Sequence, residues 1–197
     1  MENSYTDKIF EFSKFFNNSN EFSGNIKVVQ VGETCLDRGA CIKEHIQMCH
    51  EITLVVSGSG VLTAEQERIQ CNAGDIQIVS KGTVHGITAG DDAPLRYIHF
   101  AFEFLDYKPK ILSEFYGQCK NIIIHDNREL KVILNMLVEE YFGNASFTDI
   151  MRGDLIELLL ITLWRRVNMQ VDKYQPIMSE EPMGKVVYNI IKYIDRH

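Results

Sequence analysis

Residues 44–60 of this 197-residue chain read EHIQMCHEITLVVSGSG, and residues 73–87 read AGDIQIVSKGTVHGI. Each holds a short run, alternating or wholly apolar and rich in Val and Ile, closed by glycines at Gly58, Gly60, Gly74 and Gly82. Apolar runs of this length between glycine turns make the strands of compact antiparallel β-structure. The turns need residues that tolerate positive φ. Few other folds call for this spacing. Polar residues suited to ligand or metal contact, His45, Gln47, Glu51, Asp75 and His85, fall at or near the strand ends.

The same texture extends from Ile26 to about Phe104 as IKVVQVG, Ile52 to Ser57, VLTAE, RIQC, DIQIVS and RYIHFAFEF. Turn signals at Asp37 to Gly39, at Gly74-Asp75 and at Gly90 to Pro94 separate the runs, which predicts an all-β barrel or sandwich and not βαβ units. Ahead of them Ile9, Phe12, Phe15 and Phe16 lie at roughly helical spacing, so that segment is expected as a short helix or as an arm packed on the barrel.

After Pro109 the period changes. Leu130, Ile133, Leu134, Leu137, Val138 and Tyr141 follow the i, i+3, i+4, i+7 spacing of one helical face, with Asp126 or Asn127 at its start and Gly143 at its end. A second helix is expected from Thr148 to about Met169, where Arg165 and Arg166 suit the negative end of the helix dipole. It is apolar on more than one side, through Ile150, Leu155, Ile156, Leu158, Leu159, Leu160, Ile161, Leu163 and Trp164. A barrel covers one side only, so a partner helix or a second subunit is needed, and a homodimer through residues 148–169 is expected. Residues 170–184, with Pro176 and Pro182, read as a linker. Val186, Val187, Ile190, Ile191 and Ile194 then begin an amphipathic helix with no remaining sequence to cover it, as though a further domain followed. The expected division is residues 1–109, 110–170 and 171–197.

The 45% hydrophobic content suffices for a sizeable core, and a formal charge of −7 excludes a broad basic face for nucleic acid. Five cysteines without CxxC spacing read as free thiols in a reducing compartment. Asp7, Lys8, Glu11 and Lys14 interrupt the first residues, and Glu157 interrupts the most apolar later stretch, so neither a signal peptide nor a membrane span is expected. The expected location is the cytoplasm.

Residues two apart in a strand share a side, which groups His45 with Gln47 and Lys43, and Glu51 with Thr53 and Val55. Lys43 could attract a carboxylate or a sugar hydroxyl, or be a solvated edge residue. His50 and His99 fall off this pattern and read as ordinary strand residues.

The spaced residues resemble the two motifs of the cupin family: His45 and Glu51 in the first, with Gln47 where the family has a second His, and Gly74, Gly82 and His85 in the second, with Ser80 in place of Pro. The resemblance implies His45, Glu51 and His85 either as ligands of a divalent metal with open positions or as polar lining of a pocket. Nearly the whole chain resembles the effector-binding and dimerisation region of the AraC/XylS family of bacterial transcription regulators. HEITLVVSGSG, GDIQIVSKGTVHGI and RYIHFAF carry that likeness, and VVYNIIKYIDRH resembles the opening helix of the family's DNA-binding domain.

This implies a mainly β fold with C-terminal α, a cupin-like antiparallel β-barrel followed by a helical dimerisation segment. It implies a small-molecule effector held by Lys43, His45, Gln47, Glu51, Thr53 and His85, no catalytic residues, and DNA contact only through a C-terminal domain beyond these residues. The alternative is a stand-alone metal-dependent cupin enzyme, an isomerase or a dioxygenase. It would account for His45, Glu51 and His85 directly but leave the apolar helix and the linker unexplained.

Overall fold

A computed structural model describes residues 10–106, 110–125 and 128–168; the expected linker and the terminal helix lie outside the described residues. In chain order the elements are β1 (Phe10–Ser23), β2 (Ile26–Leu36), β3 (Cys41–Ile46), β4 (His50–Ser57), β5 (Ser59–Ala64), β6 (Glu67–Asn72), β7 (Ile76–Val79), β8 (Val84–Ala89) and β9 (Leu95–Phe104), followed by α1 (Lys110–Gln118), β10 (Ile122–Ile124), α2 (Arg128–Phe142) and α3 (Thr148–Asn168).

The strands form two antiparallel sheets, β1-β2-β9-β4-β7-β10 and β3-β8-β5-β6. The expected class, mainly β with C-terminal helices, holds. The barrel itself is open: among the described residues no ladder joins the two sheets, which instead close on each other through side chains. Leu36, Val55, Leu95 and Tyr97 of the larger sheet pack with Leu62, Cys71, Ile87 and Ala89 of the smaller one. Burying these side chains between the sheets is the main stabilising term, at about 25 cal/mol per Å² of apolar surface removed from water.

The opposite face of the larger sheet is covered too. Phe100 and Phe102, fully buried on β9, stack with centroids 5.1 Å apart, and Phe102 meets Tyr116 of α1 edge-on at 5.5 Å. The Tyr116 hydroxyl donates to the Leu160 carbonyl at 3.2 Å, which ties α1 to α3. The apolar face expected for residues 130–141 is buried at all six positions, Leu130 to Tyr141. Arg152 on α3 lies 4.4 Å from the centre of the Tyr141 ring and donates to the Glu140 carbonyl at 3.0 Å, fastening α3 to the end of α2. On α3, Leu155, Ile156, Leu159, Leu160 and Leu163 are buried, whereas Ile150 and Leu158 are exposed.

Two elements were not expected and a third was expected only in part. Residues 10–23, expected as a short helix or as an arm packed on the barrel, form a strand paired with β2; the helical alternative fails because the β2 edge offers backbone partners that override the aromatic spacing. The short α1 and β10 were not expected. Both are set by tertiary contact: Ser80 Oγ lies 2.5 Å from the carbonyls of Tyr116 and Cys119 at the end of α1, and β10 pairs with β7. Ser80, at the motif's proline position, thus caps a helix from another part of the chain.

Gly58 carries the chain from β4 in the larger sheet to β5 in the smaller. Its φ is +80°, and a Cβ there would collide with the Pro94 carbonyl oxygen. Gly82 has a similar φ of +89° but faces open space. We therefore expect Gly58→Ala to cost at least about 3 kcal/mol, strain and steric overlap combined, and Gly82→Ala only about 1 kcal/mol. Urea midpoints measure both; equal losses would show that the steric contact with Pro94 is readily relieved.

Candidate functional site

The two sheets enclose a cavity of about 130 Å³. Strand β4 supplies its centre. Thr53 stands opposite Gln77 on β7 and His99 on β9, so three polar side chains share one face. Glu51 and Gln30 line the same wall, Tyr97 continues it, and the smaller sheet contributes Ile42, His45, Leu62, His85, Gly86 and Ile87.

Glu51 is held by two neutral donors. The Gln47 amide donates to Oε2 at 2.6 Å and the Thr53 hydroxyl to Oε1 at 2.9 Å. Gln47 is itself pinned: its side-chain oxygen accepts from the Met48 N–H at 2.8 Å, its N–H donates to Thr83 O at 2.9 Å, and its carbonyl accepts from Gly82 N–H at 2.8 Å. Across the cavity, His45 and His85 are paired on adjacent strands, with Nε2 to Nε2 at 3.2 Å and ring centroids 4.5 Å apart. His45 is exposed and stands at the mouth, while His85 lies deeper at 7% exposure.

Burial sets the protonation of this wall. It lowers the pKa of His85 below the usual imidazole range, with Glu51 opposing and His45 reinforcing, and it lowers His99 against the opposition of Glu51. Burial likewise raises the Tyr97 phenol, so that hydroxyl stays protonated at neutral pH. Desolvation pushes the Cys49 thiol up to about 12, with Glu51 adding to the effect, which disqualifies it as a nucleophile near neutral pH.

Of the six residues expected to bind ligand, His45, Glu51, Thr53 and His85 line the cavity; Lys43 and Gln47 do not. The β3–β8 register shifts between Ile42 and His45, so strict alternation fails there: Ile42 faces the cavity and Lys43 is exposed. Gln47 lies past the end of β3 and acts on Glu51. Gln30, Gln77 and Tyr97 escaped the sequence reading, and His99, expected as an ordinary strand residue, lines the cavity instead. Alternation along RYIHFAFEF puts Tyr97 and His99 on one face, but only the register against β4 turns that face toward Glu51 and Thr53. His50, by contrast, packs against Phe102, Phe104 and Tyr116 as an ordinary half-buried ring.

A divalent ion needs three or more convergent donors. Among the described residues no group of three His, Cys, Asp or Glu is placed to hold one. The donor set does not fit a bound ion as it is arranged. A small cavity with apolar walls and a few oriented polar groups suits an organic ligand.

These features define a small-ligand-binding domain of two-sheet, cupin-like build. The model of the AraC-like ligand binding domain matches residues 31–160, and the chain belongs to that family. Among solved structures, the chain is similar to the protein YhaK from Escherichia coli, with 13% identity and a TM-score of 0.45 over 57% of this chain and 50% of that one. It is also similar to an RmlC-like cupin family protein with a double-stranded β-helix fold from Methanocaldococcus jannaschii, with 20% identity and a TM-score of 0.41 over 57% of this chain and 93% of that one. A predicted oxalate decarboxylase from Thermotoga maritima matches at 20% identity and a TM-score of 0.37 over 40% of this chain and 68% of that one. At these identities the likeness concerns the fold alone. A search of curated proteins returned no match. No helix among the described residues is long and apolar enough to cross a membrane.

Burial holds the pKa values of His50, His85 and His99 below the ordinary 6.5. Between the lowered folded values and 6.5 the unfolded chain binds more protons, so stability falls as pH falls through that window. Melting temperature should therefore drop between about pH 7.5 and about pH 5, and a His50→Gln, His99→Gln double variant should show a shallower dependence. An unchanged slope in the variant would mean that other groups control it.

Proposed function

We propose that this chain is the sensing and dimerisation part of a bacterial transcription regulator, non-enzymatic and cytoplasmic. In this reading a small-molecule effector occupies the cavity against Glu51, Thr53 and His85, and DNA is contacted through a C-terminal domain of the longer protein. The observation that carries it is a ligand-sized cavity with an ordered polar wall inside an AraC-like ligand-binding domain. The absence of a convergent metal-donor group among the described residues makes the metal-enzyme alternative the weaker reading.

The helices support a second copy of the chain as partner. Phe147, Ile150 and Leu158 are exposed at and along α3, and Val132 and Met136 are exposed one turn apart on α2. Apolar surface gathered on helices in this way is stabilised by burial against another helix. Regulation then requires that the effector bind one arrangement of the pair more tightly than the other, since equal affinity shifts nothing.

Light scattering should give twice the 22.7 kDa chain mass, and Ile150→Glu with Leu158→Glu should halve it while leaving the circular dichroism unchanged. A monomer at high micromolar concentration would remove the dimer from the proposal. The sensing part is tested on the full-length protein: an effector that shifts its melting temperature should also change its affinity for operator DNA, and His85→Ala should abolish both effects. Turnover of the bound compound would instead favour an enzyme.

A further inference from the structure

We propose that the effector carries a protonated amine, with the Glu51 carboxylate as its counter-ion inside the cavity. This rests on the sensing reading above and names the chemistry of its ligand.

Glu51 is the one formally charged side chain among the lining residues, which include no Lys or Arg. Lys43, the residue that would have welcomed an anion, is exposed and outside the lining. No cationic group lies within ion-pair distance of Glu51 among the described residues; its partners are the Gln47 amide and the Thr53 hydroxyl. Those two neutral donors orient the carboxylate without cancelling its charge. A carboxylate offers about four lone-pair sites, so roughly two remain for a ligand. A partly buried charge without a protein counter-ion is costly, and a cationic ligand removes that cost.

The histidine pair extends the same preference. A carbonyl only accepts, so the 3.0 Å contact between His45 Nδ1 and Lys43 O makes that nitrogen the donor. In a neutral ring His45 Nε2 is then the acceptor, and His85 Nε2–H donates to it across 3.2 Å. The chain of donors ends with His85 Nδ1 as an acceptor. Glu51 and His85 both therefore ask for N–H or O–H donors, and only Glu51's charge separates an ammonium from a hydroxyl. Ile42, Leu62, Ile87 and the Tyr97 ring supply an apolar wall for the body of the ligand. At about 130 Å³ the cavity is close to one of about 150 Å³ that takes benzene, so the part of the ligand held inside is about the size of a single six-membered ring.

Matched probes decide the point. Melting temperature is followed against concentration for benzylamine, benzyl alcohol and benzoate, for cyclohexylamine and cyclohexanol, and for a set of free sugars. The expected result is that an amine binds about tenfold or more tightly than its alcohol and that the acid does not bind. In Glu51→Gln the amine preference should fall to near unity. The wild-type comparison stands alone if that variant folds poorly. An alcohol, acid or sugar binding as well as or better than the amines, or an amine preference that survives Glu51→Gln, overturns the amine while leaving a sensing cavity in place. If no probe of any kind binds, the amine proposal is overturned and the sensing reading loses its support as well.

Discussion

The pairing register of β4 is the constraint on which the rest depends. This strand is hydrogen-bonded to β7 along one edge and β9 along the other, with Thr53 facing both Gln77 and His99. Glu51, Thr53 and Val55 point toward the smaller sheet; Ile52 and Leu54, both at 0% exposure, point the other way. A slip by one residue would exchange these sets and bury Glu51 against apolar neighbours. Gly58 ends the strand with a backbone conformation that places β5 on the opposite sheet, so the strand that positions the carboxylate also sets the separation of the walls.

With register secured, the local chemistry follows from how few donors reach Glu51. Gln47 cannot act as an imidazole would, yet it is not idle: its amide holds the carboxylate while backbone groups of Met48, Thr83 and Gly82 hold Gln47. The motif's altered position has become a support for its neighbour. The same chain of contacts connects the β3–β4 turn to the turn before β8, so the loops at the cavity mouth and the carboxylate inside are mechanically linked. A ligand drawing on Glu51 would act on both turns, which is how a small internal event can reach the outer surface.

Much of the fold was legible because it rests on signals that survive without tertiary context. Glycine turns, runs rich in Val and Ile, and the six-residue apolar face of α2 each identify their element locally. What was hidden depends on partners distant in sequence. The aromatic spacing at residues 9–16 suits a helix until β2 offers a free edge, and α1 and β10 are too short to announce themselves without Ser80 and β7. The site divides in the same way. Glu51 and His85 follow from the resemblance to the cupin motifs and Thr53 from alternation with Glu51, whereas the β3 irregularity that swaps Lys43 for Ile42 leaves no mark in composition. Gln77 and His99 become visible only when both neighbours of β4 are known.

The surface of α3 bears on how the proposed sensing cavity would be coupled to a partner. Leu155, Ile156, Leu159, Leu160 and Leu163 are buried on one side of the helix, and Tyr116 links it through α1 to the stacked rings of β9. The opposite faces of β9 carry those rings and, one and three residues before Phe100, the cavity residues His99 and Tyr97. One strand thus has the ligand side on its inner face and the helical layer on its outer face. Close packing makes such an arrangement stiff, so a displacement at Tyr97 or His99 is passed on more readily than it is absorbed. In the proposed dimer, with Ile150 and Leu158 against another subunit, the helical layer joined to β9 would also be the layer that carries the contact.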